Sequence, residues 1–274
     1  MAKKITIGNQ KGGIGKTLIS CLVAETLAEK GFNVLMIDLE PQAHATALFK
    51  RKYEFTFQEN IYSAFKKGDL KSAVVKVADN LSLIPSIENE TTHFSDLAKK
   101  KSPKKSVSMI KENLSSIEDF DFILFDTPPT AKEVYVQNAL MASDYFIALT
   151  EMTRDSFESM QHYFEQVQYL RVNFDAKLQM LGILMNRRSD DSEILERLRK
   201  EYQFEEKKMY FKTSIYKQTR LEKYTEFGIY NFLASKRPNS PIKLDTWDRQ
   251  IKETAHSVVD EILGRIEILE NSKQ

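Results

Sequence analysis

The chain has 274 residues, which is enough for one large α/β domain or two small ones. Its formal charge of +1 at pH 7 and its hydrophobic fraction of 42% are ordinary for a globular protein, so neither value identifies a partner. The single cysteine, Cys21, excludes an internal disulfide and suits a reducing cytoplasm, and no apolar segment approaches the roughly 20 residues that span a bilayer.

Short apolar runs alternate with helical segments along the chain. Ile5 and Ile7 begin a strand, and a glycine-rich loop and a helix from about Lys16 to Lys30 follow it. Further buried strands are predicted at residues 34–37, 81–84, 122–125, 145–149 and 180–185. The pattern predicts an α/β fold with a doubly wound, mostly parallel sheet flanked by helices. Because we find no repeat and no linker, we expect a single domain over residues 1–274.

Two later segments complete the prediction. A long helix over about residues 245–269 places an apolar stripe at near-helical spacing, which predicts packing against the domain. The least regular region, residues 91–108, carries five lysines and is predicted to be a solvated basic loop. These lysines are Lys99, Lys100, Lys101, Lys104 and Lys105.

A glycine-rich loop joins the first predicted strand to the first predicted helix. Its sequence is Lys11-Gly12-Gly13-Ile14-Gly15-Lys16-Thr17. A P-loop has this context, because its glycines and the helix N-terminus direct backbone N–H groups at phosphate oxygens. In a P-loop the lysine at Lys16 reaches the β- and γ-phosphates, and the hydroxyl at Thr17 coordinates Mg²⁺. The first glycine of the strict pattern is replaced by Gln10, so the match is to the deviant form, in which Lys11 is an additional lysine.

Two predicted strands end in a carboxylate. Asp126 follows residues 122–125, and Asp38 follows residues 34–37. The carboxyl ends of parallel strands face the ligand crevice of such a sheet. Asp126 therefore occupies the position of a Walker B aspartate, which holds Mg²⁺ through water. Either aspartate alone could be an ordinary turn or capping residue. Together with the glycine-rich loop, the two aspartates predict one nucleotide-binding site.

These motifs resemble the ParA/MinD superfamily of deviant-Walker ATPases, and most closely the ParA-like ATPases that partition plasmids and chromosomes. Residues 9–17 resemble the deviant Walker A motif. Residues 36–46 resemble switch I, which typically reads close to DLDPQGNAT. Residues 121–130 resemble the Walker B and switch II segment, residues 182–186 the strand that approaches the adenine, and residues 213–228 a later segment that typically reads close to IPRNVRLSEAPSHG.

The resemblance implies a slow, partner-stimulated ATP hydrolase that forms a homodimer around ATP and Mg²⁺, with Lys11 reaching the nucleotide of the other subunit. The implied nucleotide-binding residues are Lys11, Gly12, Gly13, Ile14, Gly15, Lys16, Thr17, Leu18 and Asn186. The implied metal-binding residues are Thr17, Asp38 and Asp126. The implied catalytic residues are Lys11, Lys16, Asp38 and Glu40.

Two positions depart from the family pattern. Glu40 stands where the family usually has the aspartate that positions the attacking water. Since catalysis is sensitive to shifts of about 1 Å, the longer side chain predicts slow hydrolysis or a changed pose of the water. Leu18 stands where the family often has a second hydroxyl near the α-phosphate, and the lost hydrogen bond is expected to weaken binding by roughly 1 kcal/mol.

The resemblance also implies that the ATP-bound dimer binds double-stranded DNA without sequence preference. Lys217 and Arg220 match the basic positions of the family's later segment, and Lys212 and Lys223 lie near them. Nonspecific binding requires only neutralised phosphates, and dimerisation doubles the basic patch. Only four residues precede the first predicted strand, so we expect no helix-turn-helix there. A ParB-like adaptor would then read the centromere site, and the protein would be cytoplasmic and associated with the nucleoid when ATP is bound.

Three other functions of a deviant-Walker ATPase were compared with DNA partition. A MinD-like membrane ATPase would need a basic amphipathic C-terminal helix, whereas residues 264–270 are not clearly basic and lack aromatic anchors. An ATP-binding scaffold with little hydrolysis stays open because of Glu40. A nitrogenase-type iron protein is rejected, since it needs two cysteines in each subunit.

Overall fold

The structure is a computed structural model that describes residues 1–88, 92–117, 119–129, 134–189, 191–204, 206–230 and 244–272. Within these residues, seven strands form one sheet in the order β3-β4-β2-β5-β1-β6-β7. All neighbouring pairs in this sheet are parallel except β3 and β4. The predicted α/β fold with a mostly parallel sheet is thereby confirmed.

The strands match the predicted apolar runs closely, with one addition. The strands are β1 Lys3–Gly8, β2 Val34–Asp38, β3 Val75–Ala78, β4 Leu81–Ile84, β5 Phe122–Asp126, β6 Tyr145–Thr150 and β7 Gln179–Met185. The prediction missed β3, a four-residue edge strand that is only partly buried. Its short, mixed sequence lacks the continuous apolar run that marks a central strand.

Helices cover both faces of the sheet. They are α1 Lys16–Glu29, α2 His44–Lys50, α3 Ile61–Lys67, α4 Thr92–Lys99, α5 Pro103–Asn113, α6 Val134–Ala142, α7 Arg154–Phe174, α8 Ser192–Glu201, α9 Thr219–Phe227 and α10 Thr246–Asn271. Val34 and Met36 of β2 pack with α1, α2, α9 and α10, whereas Leu35 and Ile37 pack with α3 to α6. This alternation follows from the two-residue period of a strand, and it buries β2 on both faces.

The predicted basic loop at residues 91–108 is wrong for the part that the structure describes. Residues 92–99 and 103–113 form α4 and α5, whereas Thr91 lies outside the described residues. The buried Phe94 stacks on Tyr135 of α6, and Val107 and Ile110 of α5 are also buried. These contacts hold the segment as two helices and leave its lysines exposed to solvent. Prediction failed here because the lysines outnumber the few apolar residues that anchor each helix.

The long C-terminal helix packs as predicted. Ile251, Val258, Ile262 and Ile266 of α10 are buried in the same core as α1. Among the described residues, no helix combines the length and the apolar character needed to traverse a bilayer. The arrangement brings the carboxyl ends of β1, β2 and β5 together beside the start of α1.

Candidate nucleotide-binding site

The loop between β1 and α1 has the backbone that its glycines predict. Gly13 and Gly15 have φ angles of +74° and +89°, in the left-handed region that glycine adopts without strain. Gly15 directly precedes α1, and no side chain caps the helix there. The first N–H groups of α1 therefore remain available to an anion, and the helix dipole favours one at this position.

Asn186 closes one side of this loop. It follows β7, and its Nδ2 donates a hydrogen bond to the carbonyl oxygen of Ile14 at 2.7 Å. A Cβ atom on Gly15 would lie 2.8 Å from the same nitrogen, so a larger residue does not fit there. Asn186 Oδ1 is buried and accepts no hydrogen bond from the described residues. The amide is thus fixed in place, and its Oδ1 is left to accept a hydrogen bond from a ligand. An N–H group of a nucleotide base is a donor of this kind.

Lys16 is the first residue of α1 and is almost fully buried. Its Nζ donates to the carbonyl oxygen of Lys11 at 2.7 Å. Burial lowers the pKa of Lys16 to about 8, although the negative charges of Asp126 and Glu40 oppose this shift. A buried ammonium with so few partners is suited to a polyanionic ligand, because phosphate oxygens would replace the lost hydration.

The two strand-end carboxylates meet as the sequence predicts. Asp38 and Asp126 are register partners in the parallel pair of β2 and β5, and both are fully buried. Asp38 accepts hydrogen bonds from the Thr46 hydroxyl at 2.7 Å, from the Thr46 N–H at 2.8 Å and from the Glu40 N–H at 3.1 Å. These donors fix the residues between β2 and α2 around the carboxylate. Burial nevertheless raises the pKa of Asp38 to about 6.

Asp126 differs from Asp38 in having an unsatisfied carboxylate. Neither of its oxygens accepts a hydrogen bond of ordinary geometry from the described residues. Burial, and next the neighbouring Asp38, raise the pKa of Asp126 well above its usual value, whereas the nearby Thr17 side chain lowers it. Two carboxylates and one hydroxyl are oxygen donors of the kind that Mg²⁺ prefers, and Mg²⁺ commonly takes only one or two carboxylates beside phosphates and water. The residues present therefore fit this ion.

Glu40 lies on the loop between β2 and α2 and is largely buried. Its Oε2 accepts a hydrogen bond from the Gln42 N–H at 3.0 Å and lies 3.0 Å from Nδ1 of His44. Burial raises the pKa of Glu40, and the positive charges of His44 and Lys16 are among the influences that lower it. The carboxylate therefore faces the same space as the ammonium of Lys16.

The loop, Lys16, Glu40 and Asn186 line a cavity of about 650 Å³. Of the residues predicted to bind nucleotide, Gly12, Gly13, Gly15, Lys16, Thr17, Leu18 and Asn186 line it. Ile14 is buried behind the loop, and Asp38 and Asp126 have no exposed surface. The sequence did not predict the side of the cavity that is lined by residues from α2 and its C-terminal end, from the segment after β7 and from α9. These residues include His44, Leu48, Arg51, Arg187, Leu221 and Thr225.

Lys11 lies beside the cavity without lining it. Its Nζ donates to the Thr153 hydroxyl at 3.0 Å and lies 3.9 Å from Oε2 of Glu151. Arg187 pairs with the other oxygen of Glu151 at 3.0 Å. The additional lysine of the loop is thus held against its own chain, at a partly exposed position.

The two residues predicted to bind DNA, Lys217 and Arg220, line one surface pocket together with Lys223, but they differ in exposure. Lys217 is exposed and lines the rim of the cavity. Arg220, at the start of α9, pairs with Asp245, and its Nε lies 3.4 Å from Oδ1 of Asp248. Only 10% of the Arg220 side chain is exposed. The geometry therefore gives Arg220 a role in joining α9 to α10, which the sequence did not predict, and leaves Lys217 accessible to a phosphate.

Comparison with known proteins supports a common family. The family model described as an AAA domain matches residues 2–180. An uncharacterized protein of Methanocaldococcus jannaschii is 33% identical over 213 residues, which cover 72% of this chain and 80% of that protein. The chromosome-partitioning ATPase Soj of Thermus thermophilus is 25% identical over 239 residues, covering 87% of this chain and 90% of Soj.

Solved structures agree with this relationship. A putative plasmid partition protein of Borrelia burgdorferi, solved with AMPPNP bound, superimposes with a TM-score of 0.72 at 25% identity, over 96% of this chain and 98% of that one. The fold is also shared with apo McdA of Cyanothece, which superimposes with a TM-score of 0.76 at 22% identity over 96% of this chain and all of that one.

Proposed function

Since this chain belongs to the ParA/Soj type of partition ATPases, we propose that it is an ATP-driven switch that segregates a DNA cargo. In this proposal ATP and Mg²⁺ join two copies of the chain, and the dimer binds DNA without sequence preference. A DNA-bound adaptor of the ParB type then stimulates hydrolysis and releases the dimer. The protein would work in the cytoplasm, on the nucleoid while ATP is bound.

One observation carries the nucleotide part of the proposal. A loop with two left-handed glycines and a buried lysine line a single cavity, and two paired strand-end carboxylates are buried beside that lysine. The N–H groups at the start of α1 and the Lys16 ammonium are suited to bind the phosphates. Thr17, Asp38 and Asp126 would hold Mg²⁺, directly or through water. When bound, Mg²⁺ would neutralise charge on the phosphate oxygens. The relative from Borrelia burgdorferi was solved with the ATP analogue AMPPNP.

Hydrolysis requires a group that orients water toward the γ-phosphate. Glu40 is suited to this role, because its carboxylate lines the cavity together with Lys16. Lys16 would stabilise the negative charge that develops on the phosphate oxygens. Burial holds both groups in a region of low dielectric, where their charges act more strongly than in water. We propose that turnover is slow until the adaptor completes this arrangement.

Dimerisation is the step that couples ATP to DNA. We propose that Lys11 leaves Thr153 and Glu151 and contacts the phosphates bound by the second subunit. Each subunit then presents one copy of the exposed Lys217 to the same duplex, so that a weak contact becomes bivalent. Lys212 and Lys223 lie near Lys217 in the chain, and the α4–α5 lysines add positive charge elsewhere.

The proposal is tested by fluorescence anisotropy on a labelled DNA duplex of random sequence, with ATP and Mg²⁺ or with ADP. We expect salt-sensitive binding with ATP only, because phosphate contacts release counterions. Lys217→Ala should weaken binding at every salt concentration and reduce its salt dependence. Lys76→Ala, which removes an exposed lysine at the far edge of the sheet, serves as the matched control and should bind like wild type.

Other outcomes separate the alternatives. Absence of binding with either nucleotide would reject the DNA-coating mechanism and favour an ATP switch that acts on a protein scaffold. ATP binding without hydrolysis, with and without an adaptor, would favour the scaffold over the hydrolase. Equal binding with ATP and ADP would reject control by the nucleotide.

A further inference from the structure

We propose that His44 is a positioning residue for ATP hydrolysis: its imidazole holds the Glu40 carboxylate in the pose that orients the attacking water. The inference rests on the proposed hydrolase function and assigns a role to a residue that the sequence analysis left without one. It starts from the contact between Nδ1 of His44 and Oε2 of Glu40 at 3.0 Å.

The contact depends on local geometry between β2 and α2. The Ala43 N–H donates to the Glu40 carbonyl oxygen at 2.9 Å, which closes a turn over residues 40–43. Ala43 itself has a φ of +55°, in the left-handed region that is unfavourable for a residue with a Cβ. His44 then begins α2, four residues after Glu40. The turn thereby places the imidazole against the carboxylate.

The contact leaves one carboxylate oxygen for water. Oε2 of Glu40 is engaged twice, by the Gln42 N–H and by His44 Nδ1. Nδ1 must carry a proton in order to donate to a carboxylate, which it does in one neutral tautomer as well as in the imidazolium. Both of these contacts use Oε2, and the His44 backbone N–H is a third donor beside the carboxylate. Since each carboxylate oxygen has two lone pairs, Oε1 can still accept a hydrogen bond from a water molecule in the cavity. Glu40 and His44 both line this cavity.

A glutamate needs such support more than an aspartate does. It has one more rotatable bond, so holding its carboxylate in one pose costs more side-chain entropy. Misplacement by about 1 Å can reduce catalysis by about 100-fold. The imidazole is more than half exposed, whereas only 9% of the Glu40 side chain is exposed. The exposed His44 imidazole therefore adds little to the stability of the fold. Its contact instead fixes the direction in which the buried Glu40 carboxylate points.

The experiment measures steady-state ATP hydrolysis, with saturating DNA, for wild type, His44→Ala and His44→Asn. Asn offers an amide N–H near the position of Nδ1, whereas Ala offers no donor. We expect His44→Ala to lower kcat about tenfold or more while KM changes less than twofold, and His44→Asn to recover most of the loss. A merely structural role would not separate kcat from KM in this way.

The chain supplies a matched control. His162 contacts Glu165 through the same atoms at 3.1 Å, but on the outer part of α7 and away from the cavity. His162→Ala removes an equivalent pair and should leave kcat and KM unchanged. Thermal unfolding of each variant establishes that it is folded.

A double-mutant cycle with Glu40→Asp makes the test specific. The shorter carboxylate cannot keep both the turn contact and the imidazole contact, so His44→Ala should have little further effect in the Glu40→Asp background. The inference is overturned if His44→Ala leaves kcat unchanged, or if its effect is equally large in both backgrounds. In either case wild type still hydrolyses ATP, and the proposed function stands. A wild type that binds ATP but never hydrolyses it overturns both.

Discussion

At the residue scale, Asp126 shows most directly that the site is built for a ligand. Its carboxylate is fully buried, and no described residue donates a hydrogen bond of ordinary geometry to either oxygen. Leaving a buried acceptor unsatisfied costs about 1–3 kcal/mol, and more when the group carries a charge. The free protein therefore tolerates an unfavourable group at the position where Mg²⁺ is proposed to bind.

We accordingly expect Asp126→Asn to stabilise the nucleotide-free protein. The neutral amide is less costly to bury and no longer repels Asp38. A gain of 1 kcal/mol should raise the melting temperature by about 2–4 °C in a chain of this size. In the presence of ATP, addition of Mg²⁺ should raise the melting temperature of wild type but should change that of Asp126→Asn very little. Differential scanning calorimetry with and without Mg²⁺ measures both effects.

The same variant should differ from wild type in its pH dependence. The pKa of Asp126 is raised in the folded chain, so the folded state binds a proton over a pH range in which the unfolded state does not. Stability is then highest below the unfolded pKa, about 4, and falls as the pH rises toward the folded pKa. Asp126→Asn lacks this loss. Asp79→Asn, at a fully solvated carboxylate, is the control and should track wild type. A less stable Asp126→Asn at pH 8 would contradict the expectation.

Residues that are adjacent in the sequence were the most predictable part of the site. The loop from Lys11 to Thr17 supplies its own glycines, lysine and hydroxyl, so its motif contains most of its geometry. Pairings that depend on side-chain direction were not predictable. Arg220 was expected to face DNA, yet it pairs with Asp245, which is 25 residues away and caps the N-terminus of another helix. The contact of Glu40 with His44 likewise depends on a left-handed alanine that the sequence does not reveal.

At the element scale, Arg265 fixes the C-terminal helix to the edge of the sheet. Its guanidinium donates to the carbonyl oxygen of Leu181 at 2.6 Å and also to that of Tyr210. It pairs with Glu261 one turn earlier, and it lies 4.5 Å from the ring centre of Phe211. One side chain thus joins α10, β7 and the segment after α8, because the fork of a guanidinium can serve several acceptors at once.

We expect Arg265→Ala to destabilise the protein by about 1–3 kcal/mol, because it leaves partly buried carbonyl groups without a donor. Urea unfolding followed by circular dichroism measures this change. Arg265→Lys should recover only part of the loss, since an ammonium cannot reproduce the fork. Arg249→Ala, at an exposed position of the same helix, should change stability by less than about 0.5 kcal/mol. ATP affinity should be unchanged in all three variants, and a large change would place Arg265 in the site instead.

Elements were predictable where one strong apolar run determined them. The central strands β2 and β5 are buried at every residue, and their bounds follow the sequence within one residue. The edge strand β3 and the helices α4 and α5 are held by a few contacts with other elements, such as Phe94 with Tyr135. Charge and periodicity along the chain carry no information on those contacts, and they therefore predicted a loop for the region of α4 and α5.

At the scale of the whole molecule, the strand order explains why distant residues share one cavity. β1 lies between β5 and β6, and β5 lies between β1 and β2. The carboxyl ends of these central strands therefore bring Asp38, Asp126 and the P-loop together, and β7 adds Asn186 from beyond β6. The alternation of strands and helices predicted the sheet, and the motifs at the strand ends located the crevice. The α9 wall of the cavity was not predicted, because the segment that contains α9, residues 213–228, was assigned to DNA binding and not to the nucleotide.

The contacts of Lys11 lead to the prediction for the assembly. Within one chain Lys11 is held by Thr153 and Glu151, at a partly exposed position beside the cavity. If this lysine bridges two subunits when ATP is bound, Lys11→Ala should abolish the ATP-dependent dimer while one chain still binds nucleotide through Lys16 and the loop. Sedimentation velocity with the nonhydrolysable analogue AMPPNP and Mg²⁺ measures the dimer, and calorimetry measures the binding.

The controls for Lys11 distinguish a specific contact from a loss of charge. Lys208→Ala removes an equally positive but highly exposed side chain and should dimerise like wild type. Glu151→Gln weakens the contact that holds Lys11 within its own chain, so it should favour the dimer at lower AMPPNP concentration if that contact competes with the bridge. A Lys11→Ala protein that still dimerises would reject the bridging role. A protein that stays monomeric in every variant, wild type included, would reject the ATP-joined dimer, because the nucleotide would then be bound without linking two chains.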